Sequence, residues 1–124
     1  MIQSFHGIND IEVIHIEEDA AEIKMTANKS CDFFDGHFEE YKILPAVGQF
    51  SILVMLCCEC FNIKNFIPKI NRMKFVSPVV PETCIRIKLN FNRQKSSVAF
   101  LIVSYSDSNK IYSSGSFSVI IKDN

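Results

Sequence analysis

The sequence has no apolar run long enough to cross a membrane. Its longest strongly apolar stretch, residues 50–58, is interrupted by Ser51 and falls well short of the about 20 residues that a membrane-spanning helix needs. The first residues carry neither a basic region that leads into an apolar segment nor a small-residue cleavage site, so the pattern of a secretory signal is missing. We therefore expect a cytoplasmic protein that does not bind membranes.

Repeats, linkers and low-complexity segments are also missing from the 124 residues. The hydrophobic content of 48% is enough for one core, and the length is typical of one domain. We therefore expect a single domain over residues 1–124. The formal net charge is only −1, which argues against nucleic acid or an anionic membrane as the partner.

The cysteines offer little redox or metal chemistry. They are odd in number, and three of them crowd onto one predicted helix, where they cannot easily reach distant partners: Cys31, Cys57, Cys58, Cys60 and Cys84. Cys57 and Cys60 form a C-x-x-C pair near the helix C-terminus, where the helix dipole disfavours a thiolate. We expect all five to be reduced, small apolar side chains, and no metal or other cofactor is predicted.

The pattern along the chain predicts one helix among about six strands. Alternating or β-branched segments predict strands over residues 11–17, 21–26, 70–76, 84–91, 98–105 and 111–121, and Gly115 in the last suggests a bulge or a close backbone approach. Pro45 fits the first position of a helix that runs to about residue 61. The only polar side chains of that helix are Gln49, Ser51 and Glu59, so it must be buried on most sides.

One all-apolar helix among mostly antiparallel strands predicts an α+β hotdog fold, in which a single sheet curls around the helix. Such a sheet leaves a strand edge exposed. We therefore expect a homodimer that continues the sheet across two copies, with the pocket at the interface.

One histidine lies close to the start of this helix. His37 follows Gly36 in a loop that leads to Pro45. The start of a helix offers unpaired backbone N–H groups and the positive end of the dipole, which can stabilise charge on a carbonyl oxygen. An imidazole can move a proton at neutral pH. This combination suits removal of the α-proton of a thioester. His6 and His15 have no motif around them and are expected at surface or strand positions.

These residues resemble the hotdog-fold β-hydroxyacyl carrier-protein dehydratases. That family has an aromatic residue, two further residues and Gly-His-Phe-Pro, followed by Pro-Gly-Val and a helix with a carboxylate six residues after that proline. Here Phe33, Gly36-His37-Phe38, Pro45 and Val47 match the pattern.

The resemblance continues into the C-terminal half and covers nearly the whole chain. Met73-Lys74-Phe75, with Pro78 and Pro81, resembles the strand that follows the helix, and Ser113-Ser114-Gly115 is similar to the aryl-polyene-type branch. The resemblance implies a role in fatty acid or polyene biosynthesis, with no metal or redox cofactor. It also implies that His37 is the base, that the Ile43 carbonyl fixes its tautomer, and that the Ala46 N–H is the oxyanion donor.

The sequence departs from the family at the helical acid. Six residues after Pro45 stands Ser51, where the family has Asp or Glu. A serine can orient water or the substrate hydroxyl, but it does not readily protonate a leaving hydroxide. Glu39 and Glu40 also depart from the family pattern, and either of them is a possible substitute acid. A role for Ser51 as a nucleophile, with His37 as its base, is not favoured, because the sequence names no third group that would orient the base.

Basic residues are concentrated in one part of the chain. Residues 64–95 hold eight basic residues against the single acid Glu82. Either these strands simply face water, or they form a basic face for an acidic carrier protein or for the phosphates of a pantetheine-bearing substrate.

Three functions are compatible with these observations. The first is dehydration of a 3-hydroxyacyl thioester on carrier protein or coenzyme A, with His37 as base. The second is a hotdog subunit without its acid, which either holds an acyl thioester without turnover or supports an active homologue in a heterodimer. The third is thioester hydrolysis on the same fold.

Overall fold

The strands form one antiparallel sheet with the helix lying across it. The computed structural model describes residues 4–35, 42–64 and 66–121. Within them, the neighbouring strands follow the order β1-β2-β4-β5-β6-β3. The elements are β1 (Ile11–Ile16), β2 (Ala20–Ala27), a 3-10 helix (Asp32–Phe34), α1 (Ala46–Phe61), β3 (Phe66–Phe75), β4 (Thr83–Asn92), β5 (Ser97–Ser104) and β6 (Ile111–Ile121).

The core lies between α1 and the inner face of the sheet. The period-two alternation of the strands directs one row of apolar side chains inward, and register aligns this row from strand to strand, as in Ile23 opposite Ile87 and Ile87 opposite Ile102. From α1, Phe50 meets the Phe117 ring edge-on with ring centroids 5.4 Å apart. This arrangement of one sheet around one apolar helix confirms the predicted α+β hotdog fold.

The helix begins one residue later than predicted. Pro45 is the N-cap rather than the first helical residue, because its ψ of 164° is extended, and α1 starts at Ala46. The predicted end at Phe61 is confirmed, and Asn62 stops the helix in the left-handed conformation at φ 53°. Burial within one protomer is less complete than predicted, because Val47 on the outer side of α1 is 68% exposed. In the described part of the chain, no helix has the length and hydropathy to span a membrane.

Strand β3 begins four residues earlier than predicted. The sequence pattern indicated a strand only from residue 70. Pro68 instead lies inside β3 and pairs with Val119 of β6. A proline has no N–H to donate, and β3 accepts it because, among the described strands, β3 lies at the edge of the sheet and has a neighbour on one side only.

Gly115 lies where two backbones approach closely, as predicted. It pairs with Met73, next to a bulge at Asn71 that shifts the register between β3 and β6. A Cβ atom on Gly115 would overlap the carbonyl oxygen of Arg72 and lie 3.0 Å from the Cα atom of Met73. The strand pair therefore requires a residue without a side chain here.

Replacement of Gly115 by alanine is expected to destabilise the protein, because backbone atoms cannot move aside as a flexible side chain can. We expect Gly115→Ala to lower the free energy of unfolding by about 1–3 kcal/mol. Ser116→Ala on the same strand serves as the control and should change it by less than about 0.5 kcal/mol. Urea denaturation at a fixed protein concentration measures both, and equal stability of the two variants would contradict the assigned strand packing.

Candidate functional site

A cavity of about 310 Å³ opens beside the start of α1. One wall is formed by the residues that lead into the helix, and the other by the end of β3 and the segment that follows it. The lining residues are Ile43, Leu44, Pro45, Ala46, Gln49, Phe75, Val76, Ser77 and Pro78. Most of this surface is apolar, so the cavity suits an apolar group with a polar group at the helix start.

The helix start supplies backbone donors to this cavity. The first backbone bond of α1 runs from the Gln49 N–H to the Pro45 oxygen at 2.9 Å. The N–H groups of residues 46–48 precede that bond and so have no partner within the helix. Within the described residues, no side chain caps the helix and no acidic residue lies in its first turn. Ala46 adopts helical rather than positive φ, so alanine presents its N–H here as well as glycine would.

Both walls of the cavity are held by backbone hydrogen bonds. On one wall, the Leu44 N–H donates to the Val79 oxygen at 2.7 Å. On the other, the N–H groups of Val76 and Ser77 donate to the oxygen of Tyr112 at 2.9 and 3.2 Å. The cavity is therefore a fixed feature of the fold, and it brings together Ile43 and Ala46, two of the predicted site residues.

Gln49 is a site residue that the sequence analysis did not identify. It lines the cavity and is only 3% exposed. Its Nε2 atom donates to the Leu44 oxygen at 3.2 Å, and its Oε1 atom accepts from the buried Ser113 hydroxyl at 2.8 Å. The signal in the sequence was an amide within the first turn of an apolar helix, together with a serine at an inward-facing position of β6.

An aromatic cluster holds the chain on the other side of the helix start. Phe33, in the 3-10 helix, packs over Gly48 so closely that a Cβ atom there would lie 2.9 Å from its Cγ atom. The His6 ring stacks on Phe33 at 4.5 Å, and its Nδ1 atom lies 3.0 Å from the Asp32 carboxylate. His6 is a surface position, as predicted, and its contacts anchor the 3-10 helix.

Ser51 faces away from the cavity of its own protomer. Its hydroxyl donates to the Val47 oxygen one turn earlier at 2.8 Å. It is half-buried and is not among the residues that line the cavity. Ser51 thus shares the outer side of α1 with the exposed Val47, so within one protomer it does not join Ile43 and Ala46.

Three predicted site residues, His37, Glu39 and Glu40, lie outside the described residues. The chain on both sides of residues 36–41 is anchored. On one side, the Asp35 N–H donates to the Asp32 oxygen at 3.0 Å, and on the other Leu44 bonds to Val79 as described above.

The cysteines are free thiols, and three of them lie near the end of α1. Burial raises the pKa of the Cys57 thiol, and burial followed by the charge on Glu59 raises the pKa of Cys60. Burial therefore disfavours the thiolate at both positions of the C-x-x-C pair, in the same direction as the helix dipole.

The basic segment divides into paired and exposed residues. Arg86 lies 2.8 Å from Glu22, and Arg93 lies 2.6 Å from Asp19. Three exposed basic residues of β3 instead lie opposite serines of β6 and form what we call the basic stripe: Lys69, Arg72 and Lys74. No acid in the described ranges forms an ion pair with this stripe, which runs up to Phe75 at the cavity.

Comparison with known proteins agrees with the fold. A curated relative, the 3-hydroxyacyl-acyl-carrier-protein dehydratase FabZ of Clostridium perfringens, is 28% identical over 109 residues, which covers 79% of this chain and 78% of the relative.

Two solved structures share the fold. The dehydratase heterocomplex ApeI:P from Xenorhabdus doucetiae matches with a TM-score of 0.75 at 23% identity, over 90% of this chain and 98% of that one. Thioesterase superfamily member 2 from Mus musculus matches with a TM-score of 0.70 at 9% identity, over 90% of this chain and 82% of that one.

A family model matches most of the chain. The model described as ApeI-like, ApeI dehydratase, matches residues 13–116 and so includes the helix, both walls of the cavity and most of the sheet. The chain belongs to the ApeI-like dehydratase family.

Proposed function

We propose that this protein dehydrates 3-hydroxyacyl thioesters. The observation that carries the proposal is the cavity at the start of α1, where the Ala46 N–H precedes the first helical hydrogen bond. A thioester carbonyl bound there would receive a hydrogen bond as negative charge develops on its oxygen. Membership of a dehydratase family supports this choice of reaction over hydrolysis.

His37 is the proposed base. It takes the proton from C2 of the substrate, and the electron pair moves onto the carbonyl oxygen to give an enolate. The Ala46 N–H stabilises that oxygen. When the electrons return, the C2–C3 double bond forms, the C3–O bond breaks, and the hydroxide leaves with a proton as water. The Ile43 carbonyl, at the cavity wall, is the proposed acceptor that holds the other imidazole N–H.

This mechanism also needs a general acid that gives a proton to the leaving hydroxide. Ser51 stands at the position of the family acid, and its hydroxyl is engaged with the Val47 oxygen. Glu39 or Glu40 is the proposed substitute acid. Without such a substitute, loss of a general acid costs about 10²–10⁴ in rate.

The proposed substrate is carried by an acidic carrier protein. The basic stripe runs along β3 up to the cavity wall at Phe75. Positive charge beside the entrance would steer an acidic protein toward it and orient the bound acyl chain. The carrier protein in the name of the FabZ relative supports this choice over coenzyme A.

The proposed assembly is a dimer through the free edge of β3. Among the described strands, β3 pairs only with β6 and is a ten-residue edge. Exposed apolar side chains lie on β3, beside the cavity and on the outer side of α1, including Ile70, Phe75, Val76 and Val47. Pairing with a second copy would cover this surface and the unpaired strand edge. The outer side of α1, with Ser51, would then be available to the partner's cavity.

A second candidate function is a subunit that binds the thioester but depends on a partner for the acid. Ser51 is the observation that favours it, because a hydroxyl in this place does not readily supply the proton. In this candidate an active homologue pairs with the chain and provides the carboxylate. The heterocomplex named in the ApeI:P structure supports such an arrangement.

Loss of His37 tests the proposed base. Wild type is expected to convert a 3-hydroxyacyl carrier-protein thioester slowly into the enoyl product, and His37→Ala should lower the rate by about 10²–10⁴. The rise in enoyl absorbance measures the reaction. His15→Ala is the matched control, since this exposed histidine of β1 is bonded to Glu17 and should leave the rate unchanged. Equal rates for wild type and His37→Ala would remove His37 from the mechanism.

Restoring the carboxylate tests the role of position 51. Ser51→Asp is expected to raise the dehydration rate by up to about 10²–10⁴, because it supplies the acid for the leaving hydroxide. Ser51→Asn has nearly the same size without the acid and should give no gain. A large difference between the two variants means that the cavity is complete and that only the acid is missing. If Asp and Asn behave alike, the missing acid does not limit the reaction.

The oligomeric state tests the proposed edge. We expect light scattering after size exclusion to give twice the protomer mass for wild type, and the protomer mass for Ile70→Lys. Ile70 is 48% exposed on β3. The control is Ile14→Lys, since Ile14 is 40% exposed on the opposite edge strand β1, and this variant should remain dimeric. A monomeric wild type, or a dimer that survives Ile70→Lys but not Ile14→Lys, would contradict the assignment.

A further inference from the structure

The buried amide of Gln49 joins three parts of the fold at one point. The residue belongs to α1, its Nε2 atom bonds to the Leu44 oxygen in the segment before the helix, and its Oε1 atom accepts from Ser113 on β6. The orientation of the amide follows from its partners, because the Leu44 carbonyl can only accept and therefore must face the NH2 group. Ser113 is fully buried.

Strand β6 thereby holds both walls of the cavity through adjacent residues. The Ser113 hydroxyl reaches Gln49 and, through it, the wall formed by residues 43–46. The Tyr112 carbonyl accepts the N–H groups of Val76 and Ser77 on the opposite wall. Two consecutive residues of one strand therefore hold the two walls, in addition to the direct backbone bond between Leu44 and Val79.

The other two residues of Ser113-Ser114-Gly115 lie where β6 pairs with the end of β3, close to the cavity wall. Ser113 pairs with Phe75, the first residue of the opposite wall, and Gly115 lets the backbone of β3 approach. Ser114 lies between them on the outer face of the sheet, opposite Lys74. Of the two serines, only Ser113 can act on the cavity.

We propose that Gln49 is a positioning residue, which Ser113 holds in place so that its amide fixes the backbone of residues 43–46 and thus the place of the Ala46 N–H in the cavity. This inference rests on the proposed function for its consequence in the reaction. A displacement of well under 1 Å in an oxyanion donor weakens its hydrogen bond to the developing charge. Loss of the clamp should therefore slow enolate formation more than it weakens thioester binding.

The first measurement is independent of activity. Gln49→Met keeps the length of the side chain without its hydrogen bonds, and Ser113→Ala removes only the hydroxyl. We expect amide hydrogen exchange followed by NMR to be about tenfold faster at the backbone amides of positions 44 and 49 in both variants. The loss of one buried hydrogen bond lowers the free energy of local opening by about the amount that corresponds to this factor. Amides of β4 and β5 should keep their protection, which also reports that the variants are folded. Ser114→Ala is the matched control and should behave as wild type.

The second measurement isolates the step that the clamp serves. In D2O, exchange of the α-protons of a butyryl carrier-protein thioester needs the base and the oxyanion donor but no general acid, so it does not depend on position 51. We expect the exchange rate at saturation to fall about tenfold in Gln49→Met and Ser113→Ala, with less than a twofold change in the dissociation constant.

The outcomes separate this inference from the proposed function. Unchanged amide exchange at Leu44 and Gln49 in both variants would overturn the clamp. Faster amide exchange with an unchanged α-proton rate would overturn its role in positioning the donor. If wild type itself exchanges no α-protons, the proposed function fails, and the amide exchange still decides whether Gln49 fixes the segment.

Discussion

The backbone N–H groups at the start of α1 are the feature on which the site depends. A helix always leaves its first donors without helical partners, and here residues 46–48 precede the first bond at Gln49. Because the helix is apolar, it must lie against the inner face of the sheet, and its start is thereby placed between the two cavity walls. The same burial that stabilises the fold thus places the positive end of a helix dipole in a largely apolar cavity, where a developing negative charge is stabilised most strongly.

The sheet contributes more than a surface for the helix to pack on. Strand β6 supplies Phe117 to the core, accepts the close approach of β3 at Gly115, and holds both cavity walls through residues 112 and 113. On the other side, Phe33 over Gly48 ties the 3-10 helix to the first turn of α1. The described chain is therefore anchored on both sides of residues 36–41, by the Asp35–Asp32 and Leu44–Val79 backbone bonds.

The architecture could be predicted from the sequence because it depends on local patterns. Alternation predicted the strands, and the apolar run after Pro45 predicted the helix. The predicted start of β3 was wrong, because a strand can contain Pro68 only at the edge of a sheet, and the position of a strand in the sheet is not a local pattern. The pair of Gln49 and Ser113 could not be predicted, because the two residues are 64 positions apart and meet only through the packing of α1 on β6. Ser51 was identified by its spacing from Pro45, whereas its outward direction depends on the helix face that the sheet covers.

The proposed function requires the amide groups at the start of α1 to polarise a bound thioester carbonyl. The infrared stretching frequency of that carbonyl reports it directly, because hydrogen bonds and a helix dipole weaken the C=O bond. With a 13C-labelled butyryl thioester bound to the wild-type protein, we expect a carbonyl band at lower frequency than the same thioester shows in water. A bound thioester whose carbonyl band matches that in water, or lies at higher frequency, would exclude the start of α1 as the group that polarises the carbonyl.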